Sequence, residues 1–308
     1  MSQPPKPQFV RTQELEIAYE ERGPTDGIPI VCVHGFPDDP RTWDEVVEPL
    51  AAKGYRTITP WLRGYGPTRF LSGDTPRSGE QAALGYDLKN LIEALHLDKP
   101  YLVGYDWGGR ACCIVAALWP EKISGLVTIG GYNMQMIAKA GTPADPDREH
   151  RMWYNWYFMT ERGRAGLQQN RRELCKLLWQ LWSPGWIFDD ATFERTAVSF
   201  DNPDFVEVVI QSYRHRHAAA AGDPKLLGIE AEIAKAPLIT VPTIMLNAGN
   251  DGIGRPKDSD GHVKLFPNLL ARRLVKESGH FMSREAPLPV VEAVLELTKT
   301  RAAKGSQA

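Results

Sequence analysis

Three things are scarce in this chain, and each scarcity excludes a class of protein. Cysteine is the first: only Cys32, Cys112, Cys113 and Cys175 occur among 308 residues. None has disulfide-framework or zinc spacing, and the adjacent Cys112 and Cys113 read as small core residues of a helix. That usage fits a reducing, cytoplasmic setting. Long apolar runs are the second. All fall far short of the roughly 18 residues needed to span a bilayer, so no membrane partner is expected. The opening MSQPPKPQFV lacks the apolar stretch of a signal peptide and reads as a short proline-rich tail. Net charge is the third. A formal charge of −2 provides no field for a polyanion, and no nucleic-acid partner is expected. There is no repeat, metal-ligand set, glycine-rich phosphate loop or flavin fingerprint. Neither a metal nor a cofactor is therefore expected.

What the chain does have is 43% hydrophobic residues, enough for one large core with an attached subdomain. In its first part strand and helix patterns alternate. LEIAYEER alternates as a half-exposed strand, and IPIVCVHG is a continuous buried one. TWDEVVEPLAAKG is an amphipathic helix stopped by Gly54. After the strand YRTITP comes a long helix, SGEQAALGYDLKNLIEALHL, with Ser78 and Gln81 spaced as a capping box. KPYLVGYD, a helix from Trp107 to Trp119 and SGLVTIGG follow. Buried strands alternating with helices imply a parallel sheet covered on both faces. From about residue 132 to 238 the strand pattern stops. Four helical stretches replace it, the last opening on Asn202 and Pro203 as N-cap and N1. Alternation then resumes with VPTIMLNAG, LARRLVKESG and a final helix from Pro287 to about Thr300. The expected division is a core of 1–131 and 239–308, interrupted by a helical cap of 132–238 after the sixth strand. Such an insert sits over the carboxyl ends of the strands, where open α/β sheets bind ligands.

The segment GYDWGG, residues 104–109, places Asp106 between glycines where a strand turns into a helix. Small-x-nucleophile-x-small in that setting is a nucleophile elbow. The plainer reading is a strand–helix turn capped by Asp106. A triad needs an acid and then a histidine further along. Asp251 in NAGNDGIG follows the seventh strand and His280 in ESGHFMSREAP follows the eighth. Asp258 and Asp260 are the alternative acids. His96, His150, His215, His217 and His262 read as solvated or locally bonded, and His34 as bonding loop backbone. VHGFPDD closes the third strand, so the amides of Phe36 and Trp107 are the candidate oxyanion hole; Phe36-Pro37 is a candidate cis bond. Aspartate in the elbow has a chemical meaning. A carboxylate is ionised at neutral pH, with a reference pKa of about 3.9, and can attack a saturated carbon without a base. The resulting ester on Asp106 then needs water activated by His280, oriented by Asp251.

HGFP, LRGYGPT, GYDWGG and SGHFMSREAP together resemble the epoxide hydrolases of the α/β hydrolase superfamily, with haloalkane dehalogenases as near relatives. The resemblance runs in order along essentially the whole chain. Trp61-Leu62 stands where relatives often carry Asp and Met. The resemblance implies a mostly parallel eight-stranded sheet with helices on both faces, and hydrolysis of a small-molecule epoxide to a vicinal diol by a monomer or homodimer. It also implies two cap tyrosines that assist the leaving oxygen. The matching positions are Tyr154, followed by Asn155 where some relatives have glutamine, and Tyr213, with Tyr157 as a substitute for Tyr154. Trp153, Tyr157, Phe36 and Trp107 are the expected substrate contacts. Trp107 is also compatible with a dehalogenase, and a non-catalytic binding protein is a third reading.

Overall fold

A computed structural model describes residues 4–305. The first three residues of the proline-rich tail lie outside it. The tail is shorter than expected, because Gln8–Arg11 already forms a strand, β1. The others are β2 Leu15–Arg22, β3 Pro29–Val33, β4 Arg56–Pro60, β5 Arg69–Phe70, β6 Tyr101–Tyr105, β7 Gly125–Ile129, β8 Thr243–Ala248 and β9 Leu269–Val275. The sheet therefore has nine strands, in the order β1-β2-β4-β3-β6-β7-β8-β9 with β5 paired to β2. Like β1, the two-residue β5 was not read as a strand in the sequence, and the strand expected as the sixth is β7. β2 runs antiparallel to its neighbours, and every pair from β4 to β9 is parallel. β2 is not half-exposed. Ile17 to Glu20 are buried, because partners pair with it on both sides.

The direction of winding reverses beside β3. The crossover from β3 to β4 carries α1 (Asp44–Ala52), and that from β6 to β7 carries α3 (Asp106–Leu118). They travel opposite ways across the sheet, so right-handed connections put the two helices on opposite faces. The gap between the ends of β3 and β6 is thus a topological switch point. α2 (Gln81–Ala94) packs on α3, and α12 (Pro287–Gly305) packs on α1 and β7.

Between β7 and β8 the described residues contain no strand. Seven helices lie there: α4 Pro146–Arg151, α5 Trp153–Phe158, α6 Glu161–Gln169, α7 Arg171–Trp182, α8 Asp190–Ala197, α9 Phe205–Arg216 and α10 Leu227–Ile233. Two expected caps are not formed. α2 starts at Gln81 behind Glu80, without a side-chain cap. Gln81 instead bonds the Gln135 backbone and Glu230, and Ser78 reaches Gln211. α9 starts at Phe205, and Asn202 lies outside it; its Nδ2 donates to the Gly66 and Thr68 carbonyls while its Oδ1 accepts from the Asp204 amide. At Gln81 tertiary partners replace the local bond, whereas at Asn202 they are added to one.

α3 begins one residue earlier than expected, at Asp106, and its first turn lies against the end of β3. A Cβ on Gly104 would stand 2.6 Å from the Gly108 carbonyl oxygen. A Cβ on Gly108 would collide with the Val33 carbonyl and sit 2.5 Å from that of His34. Gly108→Ala should therefore force strand and helix apart. We expect a loss of about 1–3 kcal/mol, the usual cost of overpacking, read as a lower urea midpoint at unchanged m-value.

Candidate active site

Asp106 is the only non-glycine residue of the elbow with positive φ, at 47°. That left-handed conformation is uncommon for a side chain with a Cβ and costs of order 1–3 kcal/mol. It does not act as a helix cap. Its Oδ1 accepts a 2.8 Å hydrogen bond from the Phe36 amide across the switch point. Oδ2 is left facing His280 Nε2 at 4.0 Å and Arg110 Nη2 at 3.8 Å. Trp107 follows in the first turn of α3, where amides have no intrahelical acceptor. The Phe36-Pro37 bond is cis.

Asp251 stands in the loop after β8 and His280 in the loop after β9. Their contact is His280 Nδ1 to Asp251 Oδ2 at 3.0 Å. Asp251 Oδ1 is fixed by the amides of Ile253 and Gly254, at 2.8 and 3.0 Å. His280 Nε2 meets no acceptor among the described residues. Burial drives the imidazole toward its neutral form. The charge and hydrogen bond of Asp251, with the charges of Asp106 and Glu285, outweigh it, and the net pKa is raised. Asp258 and Asp260 are engaged elsewhere: Asp258 accepts from the Arg255 amide and Asp260 pairs with Arg272.

The helical insert is bonded to these loops. The Trp182 carbonyl at the end of α7 accepts from Gly252 and from His280, while Trp179 Nε1 donates to Pro37 O at 2.7 Å. Glu285 gathers Ser183 Oγ and the amides of Gly279 and Phe281, shaping the turn that carries His280. Arg284 pairs with buried Asp38, which also accepts from Tyr105 Oη at 2.7 Å. His34 bonds backbone on both sides, through Gly35 O and the Leu62 amide. Burial lowers its pKa to about 4, keeping it neutral.

Tyr154 and Tyr213 pack edge to face, 5.5 Å between ring centres. Both are almost fully buried, in a cluster with Phe36, Trp107, Phe158 and Trp182. Burial raises both phenols, and the Asp106 charge adds to the rise. Beside this cluster a cavity of about 520 Å³ reaches Asp106, Asp251 and His280. The insert contributes the stretch from Tyr132 to Met152 in part, with Lys139, Arg148 and Glu149, and from α5 and the end of α9 it adds Asn155, Trp156, Arg216 and His217. Trp153 and Tyr157, expected at the substrate, are not in that wall. They pack on each other, and the Tyr157 hydroxyl fills the space above Gly166. Tyr154, Tyr213, Phe36 and Trp107 stand behind the wall rather than in it, and the Tyr154 hydroxyl reaches the lining residue Met152 at Sδ, 3.4 Å away.

Sequence reasoning missed Arg110 and Arg216. The spacing from Asp106 to Arg110 is i to i+4, one face of a helix, and could have been noticed. Arg216 stands over the Tyr213 ring at 4.4 Å, three residues further on. Three histidines are more engaged than expected. His262 Nδ1 accepts from the Tyr132 amide, and His217 packs at a tilt against Trp156. His215 Nε2 pairs with Glu80 at 3.2 Å. With Glu230 these form a group whose ligand atoms lie within 4.8 Å of one another. It is the one such group among the described residues, and its carboxylates already accept from the amides of Asp223 and Ala82.

A family model described as the alpha/beta hydrolase fold matches residues 28–287. A crystal structure of a provisionally assigned epoxide hydrolase from Klebsiella pneumoniae is 41% identical, with a TM-score of 0.93 over 96% of this chain and 97% of that one. Epoxide hydrolase 2 of Caenorhabditis elegans is 28% identical, over 91% of this chain and 76% of its own length. A haloalkane dehalogenase of Mycobacterium marinum is 35% identical, but over only 39% of this chain and 40% of that one.

The electrostatics of His280 can be read directly. Asp251 is what holds its pKa above the ordinary 6.5. In an NMR pH titration the His280 Cε1 proton should have its midpoint above 6.5. Asp251→Asn removes the favourable charge and leaves the burial, so the midpoint should fall below that value. An unmoved midpoint would assign the shift to another group.

Proposed function

The chain belongs to the alpha/beta hydrolase fold family, and from that membership we propose that it hydrolyses an epoxide to a vicinal diol. The observation that carries this reading is the environment of Asp106. One carboxylate oxygen is clasped by the Phe36 amide, while the other faces both the open cavity and a histidine backed by an aspartate. The similarity to the Klebsiella and nematode proteins supports it. Residues 132–238 are then the cap and the remainder the core. Among the described residues no helix is long and apolar enough to cross a membrane. The four cysteines are unpaired and buried, which suits the cytoplasmic setting included in this reading.

This reading has two steps. Asp106 Oδ2 attacks one epoxide carbon, the carbon–oxygen ring bond breaks, and the leaving oxygen takes a proton from the phenol of Tyr154 or Tyr213. Phenols have a reference pKa of about 10 and these are raised further, so both remain donors at neutral pH. The tyrosinate regains its proton from solvent. The product of this step is an ester whose carbonyl oxygen is Oδ1, already held by the Phe36 amide. His280 Nε2 then takes a proton from water, and the hydroxide adds to the ester carbon. The amides of Phe36 and Trp107 receive the oxyanion. Collapse releases the diol oxygen, protonated by His280, and leaves Asp106 as a carboxylic acid with a water-derived oxygen, which returns its proton to solvent. No metal or cofactor enters this scheme.

One observation favours a second reading. The indole Nε1 atoms of Trp107 and Trp182 are buried with no acceptor among the described residues. Such donors would suit a departing halide, as a dehalogenase requires. Halide departure needs no proton, which separates the two readings experimentally.

Single turnover in ¹⁸O-labelled water should place label in the Asp106 peptide, and label confined to product would exclude the ester. His280→Gln should accumulate a covalent adduct visible by intact mass spectrometry, because only the second step needs activated water. In a panel of styrene oxide, cyclohexene oxide, 1-chlorobutane, 1,2-dibromoethane and fluoroacetate, at least one epoxide should give a diol. Tyr154→Phe with Tyr213→Phe should cut that turnover about a hundredfold or more, the scale of general acid help. Halide release without diol, unaffected by either change, would establish the dehalogenase instead.

A further inference from the structure

The cavity beside Asp106 contains more positive charge than the reaction requires. Arg216, 9% exposed, lies in its wall. Its Nε and Nη2 meet no acceptor among the described residues, and Nη1 reaches only Asn155 Oδ1 at 3.5 Å. The Tyr213 ring beneath it, 4.4 Å from the guanidinium carbon, stabilises the cation through its face but offers no acceptor for the N–H groups. Buried, unpaired guanidinium groups are costly, so this arrangement calls for a partner.

Arg110 is the second cation. It too is buried in the same wall, and its nearest carboxylate is Asp106 at 3.8 Å. Burial, and after it the positive charge of Arg216, lower its pKa to about 10. The two arginines therefore sense each other across the cavity. His217, also in the wall, has both ring nitrogens unbonded. Asp106 balances Arg110, and Asp251 is balanced by His280 when that ring is protonated. Lys139, Arg148, Glu149, Arg255 and Asp258 also line the cavity, but none of them is buried. Of its two buried arginines Arg216 alone has no carboxylate beside it, so the buried part of the wall carries one uncompensated positive charge.

We propose that the substrate is a short epoxy acid, an epoxide bearing a carboxylate close to the ring, with the carboxylate bound by the guanidinium of Arg216 beside Arg110 and His217. This rests on the epoxide hydrolase reading and adds the substrate class to it. One uncompensated cation matches a monoanion, whereas a phosphate monoester would bring excess negative charge next to Asp106. The planar fork of arginine suits two carboxylate oxygens. The distance between the two groups follows from the stacking. An anion on Arg216 lies alongside Tyr213, the proposed donor to the epoxide oxygen, which leaves room for only a few bonds between carboxylate and ring. Held there, the carboxylate also orients one ring carbon toward Asp106 Oδ2.

The test is an isosteric pair, oxirane-2-carboxylate and oxirane-2-carboxamide, assayed for diol at neutral pH. Wild type should favour the carboxylate in kcat/KM by at least about tenfold, the scale of hydrogen bonds to a charged group. Arg216→Gln should abolish the preference, and Arg216→Lys, which keeps charge but loses the fork, should retain part of it. Equal turnover of the two by wild type would overturn the anion subsite and leave the epoxide reading intact. If neither epoxide is opened, that reading fails, and calorimetry with propanoate and propanamide decides the subsite separately. Tighter propanoate binding that is lost in Arg216→Gln upholds it; equal binding of the two by wild type overturns it. The wild-type comparisons need no variant, so a poorly folded Arg216→Gln would not block the test.

Discussion

Everything around the site depends on how closely α3 begins beside the end of β3. The Gly108 backbone touches carbonyls of Val33 and His34, and only that approach lets the Phe36 amide reach Asp106 Oδ1. The cost is a left-handed backbone at Asp106. It is tolerated because β3, β6 and β7 are buried parallel strands that cannot shift independently. Strain at the elbow is thus balanced by sheet pairing and core packing, both far stronger in sum than one unfavourable φ.

The second dependence is between cap and loops. The acid and histidine loops are tied to each other through the Asn250 amide and Ser278 carbonyl, and both bond the Trp182 carbonyl. A helix of the insert therefore sets where Asp251 and His280 stand, and the Trp182 ring packs 5.0 Å from the imidazole. On the other side His215 and Arg77 bridge to Glu80 and Asp204, again joining insert to core. Displacing the helical insert would disturb the geometry of the charged groups that it bonds.

Charge explains why the cavity and the aromatic cluster divide the work. The cluster of Phe36, Trp107, Tyr154 and Tyr213 excludes water from one side of Asp106. The cavity with Arg110, Arg216 and His217 lies on the other. Asp106 thus stands between an apolar wall and a basic one.

How much of this was legible without coordinates depends on whether a feature is local. Asp106, Asp251 and His280 each follow a strand, so the alternation of elements indicates that all three gather at one end of a sheet. The elbow glycines and the fold class could be read in the same way. Missed features arise where distant segments compete. Gln81 gave up its capping role to Gln135 and Glu230. Trp153 and Tyr157 were expected at the substrate from the resemblance, yet each residue turns a helix by about 100°, and it is Asn155 and Trp156 between them that line the cavity. Arg216 is an ordinary basic residue in a basic stretch, YRHRH, until α9 packs and buries it with no acid beside it. The sequence by itself determined the order of strands and helices and the chemistry available at their ends, because periodicity and turn residues act over a few positions. Only the tertiary structure decided which side chains share the cavity and which charges go unpaired, because burial and pairing depend on groups more than a hundred residues apart.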